Sequence, residues 1–93
     1  MFVRVVRFTD VTAERVESLV ARIEETGPPP GVPIKKLQLV FDQAQGTAVV
    51  LQYFENAENL RAGADTFAAM DPSETPGSRV SVDAGELKIE RQL

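Results

Sequence analysis

Apolar residues occupy both alternating faces of the stretch Gly46–Phe54. Successive side chains of a strand point to opposite sides, and Gln52 is the strongly polar residue here. A strand with one face in water would carry a polar residue at every second position. We therefore expect this strand at the centre of a sheet that is covered above and below.

The same pattern predicts three further strands. Phe2–Phe8 alternates with apolar groups on both faces and one arginine on each. Ile34–Phe41 has one mixed face, which is typical of a sheet edge, and the polar loop 42–46 predicts a hairpin to the next strand. Apolar residues after Val80 change phase at Asp83–Gly85. The last strand is therefore predicted in two segments, with a bulge or bend between them.

Two helices are predicted from a capping residue followed by an apolar stripe. Thr12, with Asp10 as the alternative, is expected to cap the first helix, and Asn56 the second. Gly63 inside the second helix indicates a close backbone approach. The stripes that we expect to be buried comprise Ala13, Val16, Leu19, Val20 and Ile23 in the first helix, and Ala57, Leu60, Ala64 and Phe67 in the second.

Two connections each have two interpretations. The first helix is expected to end at Gly27, before the run Pro28–Pro30. The segment Gly27–Pro33 is a stiff connector or, less in keeping with its position between two elements, a Pro-rich recognition ligand. Turn residues are concentrated in Asp71–Ser78, which predicts either a plain surface connector or a lid over a pocket.

The order of these elements, βαββαβ, predicts one ferredoxin-like α+β domain over residues 1–93. Right-handed crossovers place both helices on one face of a four-stranded antiparallel sheet, with the first and third strands central. The other face is then an apolar patch of a kind that monomeric soluble proteins rarely expose. We therefore predict a homodimer, a dimeric α/β barrel, in which the two uncovered faces meet.

Composition excludes several classes of function. The net charge of −4 argues against nucleic-acid binding. Cysteine, histidine and tryptophan are absent, which removes thiolate nucleophiles, imidazole bases and the usual zinc ligands, and the acids are not spaced as metal ligands. No apolar run approaches the roughly 20 residues that span a bilayer, and no secretory signal is visible. We expect a cytoplasmic protein without a metal.

Two short segments resemble a known family. Leu51–Ala62, with the sequence LQYFENAENLRA, resembles the strand-to-helix junction of antibiotic-biosynthesis-monooxygenase-like domains, and Arg79–Asp83, with the sequence RVSVD, resembles the start of their last strand. The resemblance implies membership of the dimeric α/β-barrel superfamily and a dimer with a ligand-sized cavity on the sheet face opposite the helices. The superfamily includes cofactor-free monooxygenases of polyketide quinones, haem-degrading enzymes and isomerases.

This chain departs from the catalytic members at two points. Phe54 stands where the family usually has a tryptophan, and no histidine is present to ligate haem iron. Haem chemistry is therefore disfavoured, and we expect no cofactor.

Six residues on strands or at their ends are candidates for contact with a small apolar or aromatic ligand. They are Arg4, Phe8, Gln52, Tyr53, Phe54 and Arg79. An arginine paired with a tyrosine or glutamine could stabilise the negative charge that develops in a cofactor-free oxygenation. For Arg4 and Arg7 the alternative is a snorkelling side chain or an edge salt bridge, and for Gln52 a contact in the dimer interface.

Two functions remain open at this point. The first is a homodimeric ligand-binding protein, with or without a cofactor-independent monooxygenase-like reaction. The second is a non-catalytic structural or stress-associated dimer whose interior is filled by its own side chains. The volume of the cavity distinguishes them, because a ligand site needs a few hundred cubic ångströms.

Overall fold

Six elements follow one another in the predicted order and confirm the ferredoxin-like arrangement. The computed structural model describes residues 1–27, 31–70 and 74–93, so that the proline run and the first residues of the second connection lie outside the described part. The elements are β1 (Phe2–Thr9), α1 (Ala13–Thr26), β2 (Ile34–Asp42), β3 (Thr47–Phe54), α2 (Ala57–Ala68) and β4 (Ser78–Glu86).

The four strands form one antiparallel sheet in the order β2-β3-β1-β4. The two strands with apolar residues on both faces, β1 and β3, are central, and β2 is at an edge, as predicted. Directly opposite residues of an antiparallel pair share a face. Arg4 lies opposite Gln52, and both are on the face that the helices cover, whereas Tyr53 lies on the other face, which we call the open face.

The core lies between the helices and the covered face. Its buried apolar residues are Val6, Phe8, Val11, Ala48 and Phe54. The close approach predicted at Gly63 is confirmed, because a Cβ atom there would lie 2.6 Å from Cζ of Phe54 and closer still to Cε1. The absence of a side chain at Gly63 therefore lets α2 pack directly on β3.

Both predicted helix caps are present. Oγ1 of Thr12 accepts a hydrogen bond from the backbone N–H of Arg15 at 3.2 Å, and Oδ1 of Asn56 accepts one from Asn59 at 2.8 Å. At the other end of α1, the N–H of Gly27 donates to the carbonyl of Ile23 at 2.8 Å. The φ angle of 72° at Gly27 lies in a region that residues with side chains rarely adopt.

The apolar stripe of α1 is less buried than expected. No residue of α1 is buried; Val16, Leu19 and Ile23 are half-buried, and Val20 retains 37% of its exposure. The predicted stripe is therefore only partly buried, because α1 faces the sheet across a cavity and does not pack tightly against it.

The irregularity in β4 lies nearer its start than predicted. The register between β1 and β4 shifts between Arg7 and Phe8, which pair with Ser81 and Arg79. The predicted bend at Asp83–Gly85 is wrong, because those residues pair regularly with β1. Every residue of β4 is exposed.

Candidate ligand-binding site

A cavity of about 830 Å³ lies between α1 and the covered face of the sheet. This volume falls within the range of small-molecule sites, about 300–1,000 Å³. The lining is largely apolar and comes from both walls of the space. Its main apolar residues are Leu19 and Ile23 of α1, Leu37 and Leu39 of β2, Val6 and Phe8 of β1, Val50 of β3 and Phe67 of α2.

Two buried polar residues, Arg4 and Gln52, lie among these apolar side chains. Each is only 4% exposed. Nη1 of Arg4 donates a hydrogen bond of 2.8 Å to Oε1 of Gln52, across the pair of central strands that places them opposite each other. The ring centroid of Phe67 lies 5.7 Å from the guanidinium carbon of Arg4, within the range of a cation–π contact.

The remaining hydrogen-bond donors of this pair reach the cavity. A guanidinium has five N–H donors, and the contact with Gln52 is the hydrogen bond that the side chain of Arg4 makes within the described residues. No fully buried side-chain nitrogen or oxygen in the described part lacks a partner. The other nitrogens of Arg4 and the amide nitrogen of Gln52 therefore keep some access to solvent, and both residues line the cavity.

The charge around Arg4 is uncompensated. Burial and, secondly, the positive charge of Arg79 lower the pKa of Arg4 from its ordinary value. The ion pairs within the described residues are Lys35–Glu55 and Lys88–Glu86, so that neither arginine has a carboxylate partner there. The loss of hydration of the Arg4 guanidinium is thus offset by Gln52 and Phe67 but not by an opposite charge.

Two further arginines, Arg15 and Arg22, border the cavity from α1. Nε of Arg15 donates to the carbonyl of Thr75 at 2.9 Å and connects α1 to the segment that precedes β4. Among the described residues that line the cavity, Glu74 is the acidic residue and four are arginines.

Four of the six candidate residues meet at this cavity. They are Arg4, Phe8, Gln52 and Arg79. Phe54 does not line it, because its ring is fully buried beneath Gly63. Tyr53 lies on the open face, where its hydroxyl donates to Oε1 of Gln38 at 2.7 Å and Nζ of Lys36 is 5.0 Å from its ring centroid.

The positions of Arg4, Arg7 and Gln52 bear on the alternative interpretations given above for these polar strand residues. Arg4 makes no salt bridge within the described residues, and it is buried at the centre of the sheet. Arg7 is exposed on the open face. Gln52 lies on the covered face and lines the cavity, away from the open face on which the dimer interface was predicted.

Sequence reasoning did not assign Arg15 or Arg22 to the site. The spacing of residues along α1 nevertheless contained a signal for both arginines. The residues of α1 that line the cavity recur at intervals of three and four, as one face of a helix does. They are Arg15, Leu19, Arg22, Ile23 and Thr26. Arginines that border an apolar stripe place their stems on the apolar side and their charge at its margin.

The position of the cavity differs from the expectation. A space on the face opposite the helices was predicted, but the cavity of about 830 Å³ is on the helix side. The open face carries a shallower groove of about 440 Å³ between Val3, Val5, Leu51 and Tyr53 and the segment 83–89. The two spaces are separated by the sheet.

The described residues show two further properties of the chain. Neither α1 nor α2 has the length and apolar character needed to cross a membrane. Within residues 1–27, 31–70 and 74–93, no three acidic, histidine or cysteine side chains are grouped so that they could hold a metal ion.

No family model matches the sequence, and no curated protein matches it. Solved structures do match its fold. A candidate antibiotic biosynthesis monooxygenase from Deinococcus radiodurans is 12% identical with a TM-score of 0.58, and the match covers 100% of this chain and 98% of that one.

Two other solved structures are similar over comparable lengths. A variant of MhuD with two manganese protoporphyrin IX molecules bound per active site is 16% identical with a TM-score of 0.58, covering 100% of this chain and 98% of that one. Another antibiotic biosynthesis monooxygenase is 17% identical with a TM-score of 0.55, covering 98% of this chain and 100% of that one. The chain therefore has the ferredoxin-like fold of antibiotic-biosynthesis-monooxygenase-like proteins.

Proposed function

We propose that this protein binds a small apolar or aromatic compound in the cavity between α1 and the sheet. The observation that carries the proposal is the half-buried stripe of α1, which faces the apolar residues of β2 and β3 across about 830 Å³. The space is partly open to solvent, as is typical of a cleft that admits a small ligand. A space of this size beside two buried polar groups supports a ligand site over the structural alternative, in which side chains fill the interior.

A second candidate is a cofactor-independent oxygenation of a phenol or enol in the same cavity. The hydrogen-bonded pair of Arg4 and Gln52 favours it, because donors placed in an apolar site stabilise an oxyanion that develops during a reaction. Tyr53 is separated from this pair by the sheet, so that the predicted combination of an arginine with a tyrosine has no support. Oxygen consumption with naphthols and hydroxynaphthoquinones would detect the reaction.

Haem is a less suitable ligand for these residues, although MhuD binds manganese protoporphyrin IX. The sequence has no histidine, and the described lining has neither cysteine nor tyrosine. Met70 is the described lining residue of a type that ligates haem iron, and it lacks the histidine with which methionine serves as an axial ligand.

We also propose that the protein is a homodimer that pairs through the open face. The groove on this face is lined by Val3, Val5 and Leu51, and Val40 beside them is 57% exposed. Residues 87–93 have no regular secondary structure within one chain, and Ile89 is 78% exposed. A second copy of the chain would cover both the groove and the segment 87–93, and it would remove an apolar patch from water.

The binding proposal predicts that Leu19→Trp blocks ligands without unfolding the protein. Leu19 points into the cavity, so that a larger ring would occupy ligand space. Ala21→Trp is the matched control, because Ala21 is on the exposed side of the same helix. The measurement is the melting temperature with 1,4-naphthoquinone, flavone and naphthalene-2-carboxamide.

At a ligand concentration 100-fold above Kd, binding should raise the melting temperature on the order of 10 °C. This rise should persist in Ala21→Trp and disappear in Leu19→Trp. Equal shifts in the two variants would place the ligand elsewhere, and no shift with any aromatic compound would contradict the proposal.

A further inference from the structure

We propose that the cavity selects an organic anion, with a carboxylate held by Arg4, Arg79 and Gln52 and an apolar body held against the stripe of α1. The inference rests on the proposed ligand site and adds the chemical class of the ligand. The cavity's largely apolar lining is compatible with any hydrophobic compound, so the charge of the head group has to be argued from the polar residues.

Arg4, Gln52 and Arg79 present mainly hydrogen-bond donors to the cavity. Arg4 has no acceptor atom. The oxygen of Gln52 accepts a hydrogen bond from Nη1 of Arg4, which orients the amide, and the amide nitrogen of Gln52 adds two further donors. Arg79, which borders the same cavity, also has donors alone. A ligand group that pairs with these donors must be an acceptor, as a carboxylate is.

The distribution of charged residues around the cavity also favours an anionic ligand. Four arginines and one glutamate are found among the described lining residues, although the whole chain has a net charge of −4. The positive potential is therefore local and does not follow from an overall basic composition. Arg4 and Arg79 have no carboxylate partner in the described residues, and a carboxylate from outside would supply the missing opposite charge.

Burial makes this recognition strong. Arg4 is 4% exposed, and an ion pair in a site from which water is largely removed is screened less than one at the surface. Arginine also matches a carboxylate with two parallel N–H bonds. A neutral compound of the same shape would leave the cations unpaired and should bind more weakly.

The test compares three probes that share a naphthalene ring. They are naphthalene-2-carboxylate, naphthalene-2-carboxamide and 2-naphthylmethylammonium, and their Kd values are measured by calorimetry on the whole chain. We expect the carboxylate to bind at least about tenfold more tightly than the carboxamide, and the ammonium to bind most weakly. The preference should decrease as the salt concentration rises.

Substitutions then locate the carboxylate. Arg79→Gln, at an exposed position of β4, should weaken carboxylate binding about tenfold and change carboxamide binding less than twofold. Arg61→Gln removes the same charge from the exposed surface of α2 and should leave both affinities unchanged. Arg4→Gln is the second variant, and circular dichroism and a melting curve establish that each variant is folded.

The outcomes separate this inference from the proposed function. Equal affinities for the carboxylate and the carboxamide, with both lost in Leu19→Trp, would overturn the anion selectivity and keep the cavity as a ligand site. A similar loss of carboxylate binding in Arg61→Gln and Arg79→Gln would show a general charge effect and would also overturn it. If none of the three probes binds, both proposals fail.

Discussion

Arg4 is a charged residue at the centre of a sheet, and its burial is destabilising in the absence of an opposite charge. The hydrogen bond to Gln52 and the ring of Phe67 offset part of this desolvation. The lowered pKa of Arg4 has the same cause, since burial disfavours the protonated form. The ordinary pKa of arginine is so high that the side chain stays charged near neutral pH.

Replacing both members of the pair should therefore stabilise the folded protein. We expect Arg4→Met combined with Gln52→Leu to raise the free energy of unfolding by about 1 kcal/mol or more, as for other buried polar groups exchanged for apolar ones. Urea denaturation measures this change. The same double variant should lose the preference for naphthalene-2-carboxylate.

The single variant Arg4→Met is the control for this prediction. It leaves the side-chain oxygen of Gln52 buried without its donor, and an orphaned polar group costs about 1–3 kcal/mol. The single variant should thus be less stable than the double variant. The opposite order would show that the two residues do not act as a pair.

Gly63 illustrates a different requirement, for space. A Cβ atom there would overlap the ring of Phe54, and overpacking costs about 1–3 kcal/mol. The gain in helix propensity from glycine to alanine, up to about 1 kcal/mol, acts in the opposite direction. We expect Gly63→Ala to lower the free energy of unfolding by about 1–2 kcal/mol in urea denaturation.

Phe54→Leu provides the second arm of a double-mutant cycle. The smaller side chain makes room for the methyl group, so that the double variant should be more stable than the sum of the two single losses predicts. Strict additivity would contradict the proposed overlap between Gly63 and Phe54.

The two helices have different roles because they meet the sheet differently. Gly63 of α2 is buried against the ring of Phe54, whereas α1 has no buried residue and faces a cavity. A segment with few buried apolar contacts has low local stability. α1, which supplies more of the lining of the proposed ligand site than α2 does, is thus the less firmly held of the two helices.

Ligand binding should therefore protect α1 from hydrogen exchange more than α2. A ligand that fills the cavity provides the apolar contacts that Leu19 and Ile23 lack in the empty protein. Mass spectrometry of exchange with and without naphthalene-2-carboxylate would show slower exchange in Ala13–Thr26. Equal protection of Ala57–Ala68 would indicate global stabilisation and contradict a specific effect on α1.

The whole molecule has one sheet with apolar residues on both sides and helices on one side. The covered face holds the cavity that we propose as a ligand site, and the open face exposes a groove that we assign to a second copy. The two adjacent valines of β3, Val49 and Val50, distinguish the faces, since Val49 pairs with Arg7 on the open side and Val50 with Val6 on the covered side.

Aspartate at these two positions should have different effects. Val49→Asp places a charge in the proposed dimer interface and should convert a dimer into a folded monomer of 10.2 kDa. Val50→Asp places the charge between the sheet and α1 and should lower the melting temperature. Light scattering after size exclusion measures the mass, and a wild-type protein that is monomeric at micromolar concentration would contradict the pairing.

The order of elements, the central position of β1 and β3, both helix caps and the close approach at Gly63 could be predicted from the chain. Each depends on residues near one another in sequence: a period of two or of about 3.6, a capping side chain, or a glycine where a side chain was expected. The candidate site was predicted in part, because Arg4, Phe8, Gln52 and Arg79 were identified as strand residues of unusual polarity or size.

Which candidate residues lie on the covered face and which on the open face depended on the packing of the helices. Gln52 and Tyr53 are neighbours in sequence, yet the sheet separates them, and which of them meets Arg4 depends on the side on which α1 and α2 lie. Periodicity shows that adjacent strand residues point in opposite directions, but it does not show which direction leads to the cavity. The assembly of helices and sheet decides that, because it closes a space over one face and leaves the other open.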